Sequence, residues 1–159
     1  HPIIFMHGRR DFRFSPSERR ALAEFIDRGG FVFADAICAS PEFARAFRRE
    51  WEAILEDRRL VRIPPDDPLF SRAFRGYAIG SVTLRDPKLR GGDDPLEARL
   101  VQTTPLLEGI QVDGRYAVIF SPYDLSCALE NQSSLECKGY VQEDAARLGV
   151  NILLYALTQ

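Results

Sequence analysis

The sequence predicts a three-layer α/β domain, with helices on both faces of a mostly parallel sheet that carries one antiparallel hairpin strand. Three observations lead there. Pro2–Met6 and Phe31–Ala34 are continuous apolar runs, of the kind that suits strands buried on both faces. Between them lies a capped amphipathic helix, so strand, helix and strand form one βαβ unit of about thirty residues. Further along, Ile110–Val112 and Arg115–Phe120 flank Asp113–Gly114, a two-residue loop suited to a type I′ hairpin turn.

Each element has a local cause. Gly8–Phe14 is polar and Arg-rich, with Phe12 and Phe14 interleaved, and reads as a crossover loop. Ser15 is an N-cap, Pro16 takes the first helical position and Glu18 completes a capping box. Ala21, Leu22, Phe25 and Ile26 supply the apolar stripe, and Gly29–Gly30 stop the helix. Ser40–Pro41 repeats the start signal and opens a second helix, on which Phe43, Phe47, Trp51, Ile54 and Leu55 recur at helical spacing as core. Leu60–Ile63 predicts a third strand, ended by Pro64–Pro65. Pro64 to Pro105, with its turn cluster at Gly91–Pro95, predicts a long excursion with a short strand near Ser81–Leu84. After Pro122 the pattern is helical to Glu130, and a last helix runs from about Val141 to Leu157.

The 159 residues are one domain's worth, enough to bury roughly two thirds of the surface an unfolded chain exposes. A formal net charge of −2 gives no global attraction to phosphate backbones or anionic lipid, so neither nucleic acid nor membrane contact by this segment is expected. No run approaches the ~18–20 apolar residues of a membrane span. The chain lacks an initiator Met and opens almost directly on a strand, which predicts a single domain, 1–159, cut from a longer protein. Lys88 and Lys138 are the only lysines, and arginine clusters at Arg9–Arg10–Arg13, Arg48–Arg49 and Arg58–Arg59–Arg62. The plain reading is a solvated surface; the sharper one makes the first cluster a fork for a carboxylate or phosphate.

Three cysteines, Cys38, Cys127 and Cys137, are too few for a disulfide scaffold. Cys127 and Cys137 flank the polar stretch Glu130–Glu136, and a bridge there would close a short ring worth about 2–3 kcal/mol. Two separate buried thiols are the alternative. A bridge would imply an oxidising compartment.

The reactive side chains fall where apolar runs give way to loops. His7 ends the first run, Asp35 ends the second with Cys38 just beyond, and Asp124 follows Tyr116–Phe120. If those runs are parallel strands, their carboxyl ends share the edge where open α/β sheets bind ligands. His7 is a ligand or general base, or a surface imidazole. Cys38 sits in a strand-to-helix turn where a thiol pKa can fall, yet the glycines of a nucleophile elbow are absent and Ser40–Pro41 starts the helix late. Asp35 and Asp124 either cap the following loops or form a metal or general-base pair. No Gly-rich phosphate loop, Cys-x-x-Cys, His-Glu-x-x-His or Gly-x-Ser-x-Gly occurs.

Phe5–Met6–His7–Gly8, Gly29–Gly30–Phe31 with Asp35, and Pro64 with Asp66–Asp67–Pro68–Leu69–Phe70 occur in an order that is itself a signature. Gly109 with Asp113–Gly114–Arg115, and Asp124 with Asn151 and Tyr155–Ala156–Leu157, continue it. In these residues the chain resembles the bacterial domain-of-unknown-function family 4159 over nearly its whole length. The resemblance implies a class I glutamine amidotransferase-like, flavodoxin-like fold. It also implies the C-terminal part of an envelope protein, periplasmic or membrane-anchored facing the periplasm. Where that family's pattern leads one to expect Asp-His-Pro, this chain has Asp66–Asp67–Pro68. Fold resemblance alone licenses no activity.

The leading expectation is a non-catalytic binding module for a protein partner in an envelope assembly or a small-molecule ligand, with no cofactor. Its crevice is bordered by His7, Gly8, Arg9, Asp35, Cys38 and Asp124. One alternative is a hydrolase or amidase with Cys38 as nucleophile and His7 as base. Another is a metal-binding domain using His7, Asp35 and Asp124. The excursion Pro64–Pro105 is where partner contacts are expected.

Overall fold

A computed structural model describes residues 2–87, 98–130 and 137–159. The chain is α/β, with four helices and two sheets among the described residues. In chain order the elements are β1 (Ile3–Gly8), α1 (Pro16–Asp27), β2 (Phe31–Ala36), α2 (Pro41–Ile54) and β3 (Val61–Arg62). β4 (Val82–Pro87), β5 (Ala98–Thr103), β6 (Glu108–Val112) and β7 (Arg115–Ser121) follow. α3 (Ser126–Leu129), β8 (Gly139–Tyr140) and α4 (Gln142–Thr158) complete the chain.

The larger sheet has the order β1-β2-β7-β6-β3. β1 and β2 are parallel, as are β2 and β7, while β6 runs antiparallel to β7 and β3 antiparallel to β6. The sheet is therefore mixed. The two faces of β2 alternate as pleating requires. Val32, Ala34 and Ala36 join Ile26 of α1 and Phe43, Phe47 and Trp51 of α2 in one core. Phe31 and Phe33 join Leu148, Ile152 and Tyr155 of α4 in the other.

Local signals behave as their physics dictates. Ser15 and Glu18 form the reciprocal capping box, and Gly29 ends α1 at φ 89°. Ser40 accepts from Phe43 N at the start of α2. Asp113 and Gly114 both take positive φ, as a type I′ turn requires. The stripe of α2 is core, with Trp51 fully buried. The Arg-rich loop after β1 is held by a buried carboxylate, since Phe14 N and Arg19 Nε donate to Glu50 Oε2 at 3.1 and 3.0 Å.

β1 differs from the doubly buried strand expected, because it is the edge of the larger sheet and leaves Phe5 and His7 exposed. Two further regions differ from expectation. The excursion after Pro64 contributes β4 and β5 to a second sheet, of order β5-β4-β8 with antiparallel pairings, in place of one irregular stretch with a short strand. The Gly91–Pro95 cluster lies outside the described residues. The helix expected from Pro122 shortens to the single turn of α3, because residues 122–125 form the loop that carries Asp124. β8 forms where Tyr140 N donates to Asp124 O at 3.0 Å and Gly139 bridges Asp124, a pairing with no local sequence signal.

Candidate functional site

The parallel strands place their carboxyl ends together. His7 is opposite Asp35 in the β1–β2 register, and Asp35 is opposite Ser121 in the β2–β7 register. The loop from β7 to α3 returns Asp124 and Ser126 over these ends. Sequence-predicted residues thus converge on one edge, but the structure gives most of them structural partners.

Asp35 is fully buried. Its Oδ2 accepts from Leu125 N at 2.9 Å, Ser126 N at 3.0 Å and Ser126 Oγ at 2.9 Å, while Oδ1 has no partner. Asp124, also fully buried, accepts from Cys38 N at 2.6 Å and Cys127 N at 2.8 Å. Each carboxylate therefore ties a loop to a neighbouring segment, the commonest work of a strand-end Asp. His7 is exposed, with Nδ1 3.2 Å from Ser126 Oγ. Because that hydroxyl donates its one hydrogen to Asp35, the imidazole Nδ1 is the donor in this pair.

Burial holds the Asp35 carboxyl above its ordinary pKa of 3.8, against the three bonds from Ser126 and Leu125, and the nearby Asp124 charge adds to the upward push. The folded chain thus holds this proton more tightly than the unfolded chain. The stability it contributes is full below the unfolded pKa and is lost as pH rises through the folded one. The stability difference between the native chain and an Asp35→Asn variant, read from urea midpoints, is expected to shrink as pH rises above about 4. A difference that grows over that range would contradict the assignment.

The sulfur chemistry corrects the sequence reading. Cys38 pairs with Cys137 in a disulfide, and Cys127 is the free thiol. Asp124 explains the choice: it holds the Cys38 amide and bridges β8, so the segment entering β8 passes beside the β2–α2 turn. The Cα atoms of the pair are 4.4 Å apart. Burial first, and the Asp124 carboxylate second, push the Cys127 thiol up to about 11. Residues 131–136 of the loop that suggested the other pairing lie outside the described residues.

Two catalytic alternatives lose their geometry here. Cys38 and His7 share no hydrogen bond among the described residues, because the sulfur is bridged and the imidazole faces Ser126. His7, Asp35 and Asp124 do not form a ligand cluster; among the described residues the groups close enough to hold an ion are Cys38, Asp124 and Cys137. Two of those are the bridged cysteines.

Beside the bridge lies a cleft of about 500 Å³ lined by Arg9, Arg10, Cys38, Ser40, Pro41 and Glu42. It opens at the N-terminus of the 14-residue α2, where the helix dipole favours negative charge. Ser40 Oγ donates to Arg9 O and fixes the loop. Arg9 and Arg10 are exposed and make no side-chain hydrogen bond or ion pair with the described residues. Arg13, expected as a third prong, does not line the cleft. Gly8 serves packing: a Cβ there would collide with the Phe43 ring, itself packed on Phe12, Phe47 and Phe120. Gly8→Ala is expected to cost about 1–3 kcal/mol by overpacking, measured by urea unfolding; an unchanged midpoint would contradict this.

Sequence reasoning missed Ser126 and the role of Cys137. Ser40 was legible as a cap but not as the anchor of Arg9, and Ser126 had only its position two residues after Asp124 as a signal.

Fold and site together define an α/β domain with a polar, disulfide-clipped crevice at the carboxyl ends of its parallel strands. The chain belongs to the family described as Domain of unknown function (DUF4159), which matches residues 1–157. No curated protein matches it.

Proposed function

We propose that this domain is a non-catalytic binding module of a bacterial envelope assembly, and that its crevice receives an anionic group, carboxylate or phosphate, between Arg9 and Arg10. The carrying observation is the division of labour at the strand ends. Asp35, Asp124 and the bridged Cys38 hold loops in place, while the side chains of Arg9 and Arg10, which line the cleft, have no hydrogen-bond or ion-pair partner among the described residues. Arginine's planar fork suits a two-oxygen acceptor, and the start of α2 adds oriented dipoles.

Helices pack on opposite faces of the larger sheet, which supports the three-layer, amidotransferase-like reading with β6 as the antiparallel hairpin strand. A disulfide supports an oxidising compartment such as the periplasm. No helix among the described residues is long and apolar enough to cross a membrane.

The test is an amide NMR titration with inorganic phosphate and, separately, acetate. Shifts centred on Arg9, Arg10 and Ser40 that vanish in an Arg9→Ala/Arg10→Ala variant are expected. No response to either anion would overturn the cleft assignment, and hydrolysis by the purified chain that disappears in His7→Ala would overturn the non-catalytic reading.

A further inference from the structure

We infer that the Cys38–Cys137 disulfide is an exchange site for low-molecular-weight anionic thiols, which attack at Cys38 from the Arg9/Arg10 cleft and remain there as a mixed disulfide. This rests on the anion-binding reading of the cleft.

The two sulfurs are not equivalent. Cys38 is half-buried and forms part of the cleft wall, whereas Cys137 is 1% exposed and does not line the cleft. A thiolate arriving from solvent therefore meets Cys38 first, and Cys137 is the leaving group. Cys38 also sits at φ 52°, ψ 30°, a left-handed conformation that costs energy for a residue with a Cβ. The turn is held by Asp124 on its amide and by the cap of α2 behind it, so the attacked sulfur stays at the wall.

Charge selects the reactant. Arg9 and Arg10 line the cleft with two positive charges, Glu42 adds one carboxylate to its wall, and the Asp124 carboxylate lies behind the bridge within 4.8 Å of both sulfurs, so the positive charge is on the side from which the thiol arrives. A thiol carrying a carboxylate is drawn in, and one carrying an ammonium is repelled.

The exchange balances without any oxidant. The incoming thiolate forms a bond to Cys38 Sγ as the Sγ–Sγ bond breaks, and the electron pair leaves on Cys137 Sγ. That sulfur takes a proton from water. It lies 3.4 Å from Asp124 Oδ2, an acceptor that the bridged form has no hydrogen to use and the thiol form does. A protonated thiol is a poor nucleophile, so Cys137 is slow to re-form the bridge and the adduct on Cys38 persists.

The experiment exposes the native chain, without oxygen, to 3-mercaptopropionate, 2-mercaptoethanol and cysteamine. Alkylation then traps free thiols, and peptide mass mapping reads each sulfur. Rates are corrected for thiolate fraction and nucleophilicity. The adduct is expected on Cys38 with Cys137 alkylated, and the anionic thiol is expected to react roughly tenfold faster than the cationic one. Arg9→Ala/Arg10→Ala is expected to collapse that span while leaving the bridge formed. An adduct on Cys137, equal rates for the three thiols, a span that survives the double variant, or only fully reduced chain would each overturn the inference. A phosphate response without thiol preference would do so while leaving the anion cleft standing; loss of both would remove both readings.

Discussion

Breaking the Cys38–Cys137 bridge, by reduction or by Cys38→Ala/Cys137→Ala, is expected to lower stability by about 4–5 kcal/mol. The bridge joins residues 99 apart in sequence. Closing a loop of ~100 residues removes about 4.7 kcal/mol of chain entropy from the unfolded state. At roughly 2–4 °C per kcal/mol for a domain of this size, the melting temperature should fall by roughly 8–20 °C. Magnitude separates this pairing from the one suggested by sequence spacing, because a short Cys127–Cys137 ring would supply only about 2–3 kcal/mol. Cys127→Ala, which removes a half-buried thiol outside the bridge, is expected to stay within about 1 kcal/mol. Thermal melts with and without reductant check both, and a reduced chain as stable as the oxidised one would contradict the structure.

Asp124→Ala should cost about 3–5 kcal/mol. The carboxylate accepts from Cys38 N and Cys127 N, and it has no exposure to solvent. Hydrogen bonds to a charged acceptor are worth roughly 1.5–3 kcal/mol each, and truncation strands both donors. The lost bonds also loosen the turn that presents Cys38 to Cys137. Asp124→Asn keeps one acceptor oxygen and is expected to fall about midway. His7→Ala removes an exposed ring with one 3.2 Å contact and should change stability by less than about 1 kcal/mol. Urea unfolding of the three variants reads the order directly. An Asp124→Ala chain as stable as the native one would mean that the carboxylate is kept for something other than structure.

Much of this was legible in the sequence wherever one segment carries its own signal. The box at Ser15–Glu18, the Ser40–Pro41 start and the Asp113–Gly114 turn are local rules, and each appears where the chain places it. The convergence of His7, Asp35 and Asp124 on one edge followed from three apolar runs each ending in a reactive residue. What each would do there was not legible, because the partners come from far away: Asp35 is tied to residues about 90 positions on, and Cys38 to one 99 positions on. The same limit hid the second sheet. β5 reads Ala-Arg-Leu-Val-Gln-Thr without a clear alternation, and β8 is two residues that become a strand only against β4 and Asp124.

The domain's buried acids and its disulfide build the crevice, so the state of the sulfurs is the direct check. Alkylating the native chain without reductant, then digesting it and mapping the peptides by mass, reads all three at once. A Cys38–Cys137 linked peptide with Cys127 alkylated is the predicted result. A Cys127–Cys137 link, or Cys38 alkylated as a free thiol facing the cleft, would contradict the account and return the crevice to nucleophilic chemistry.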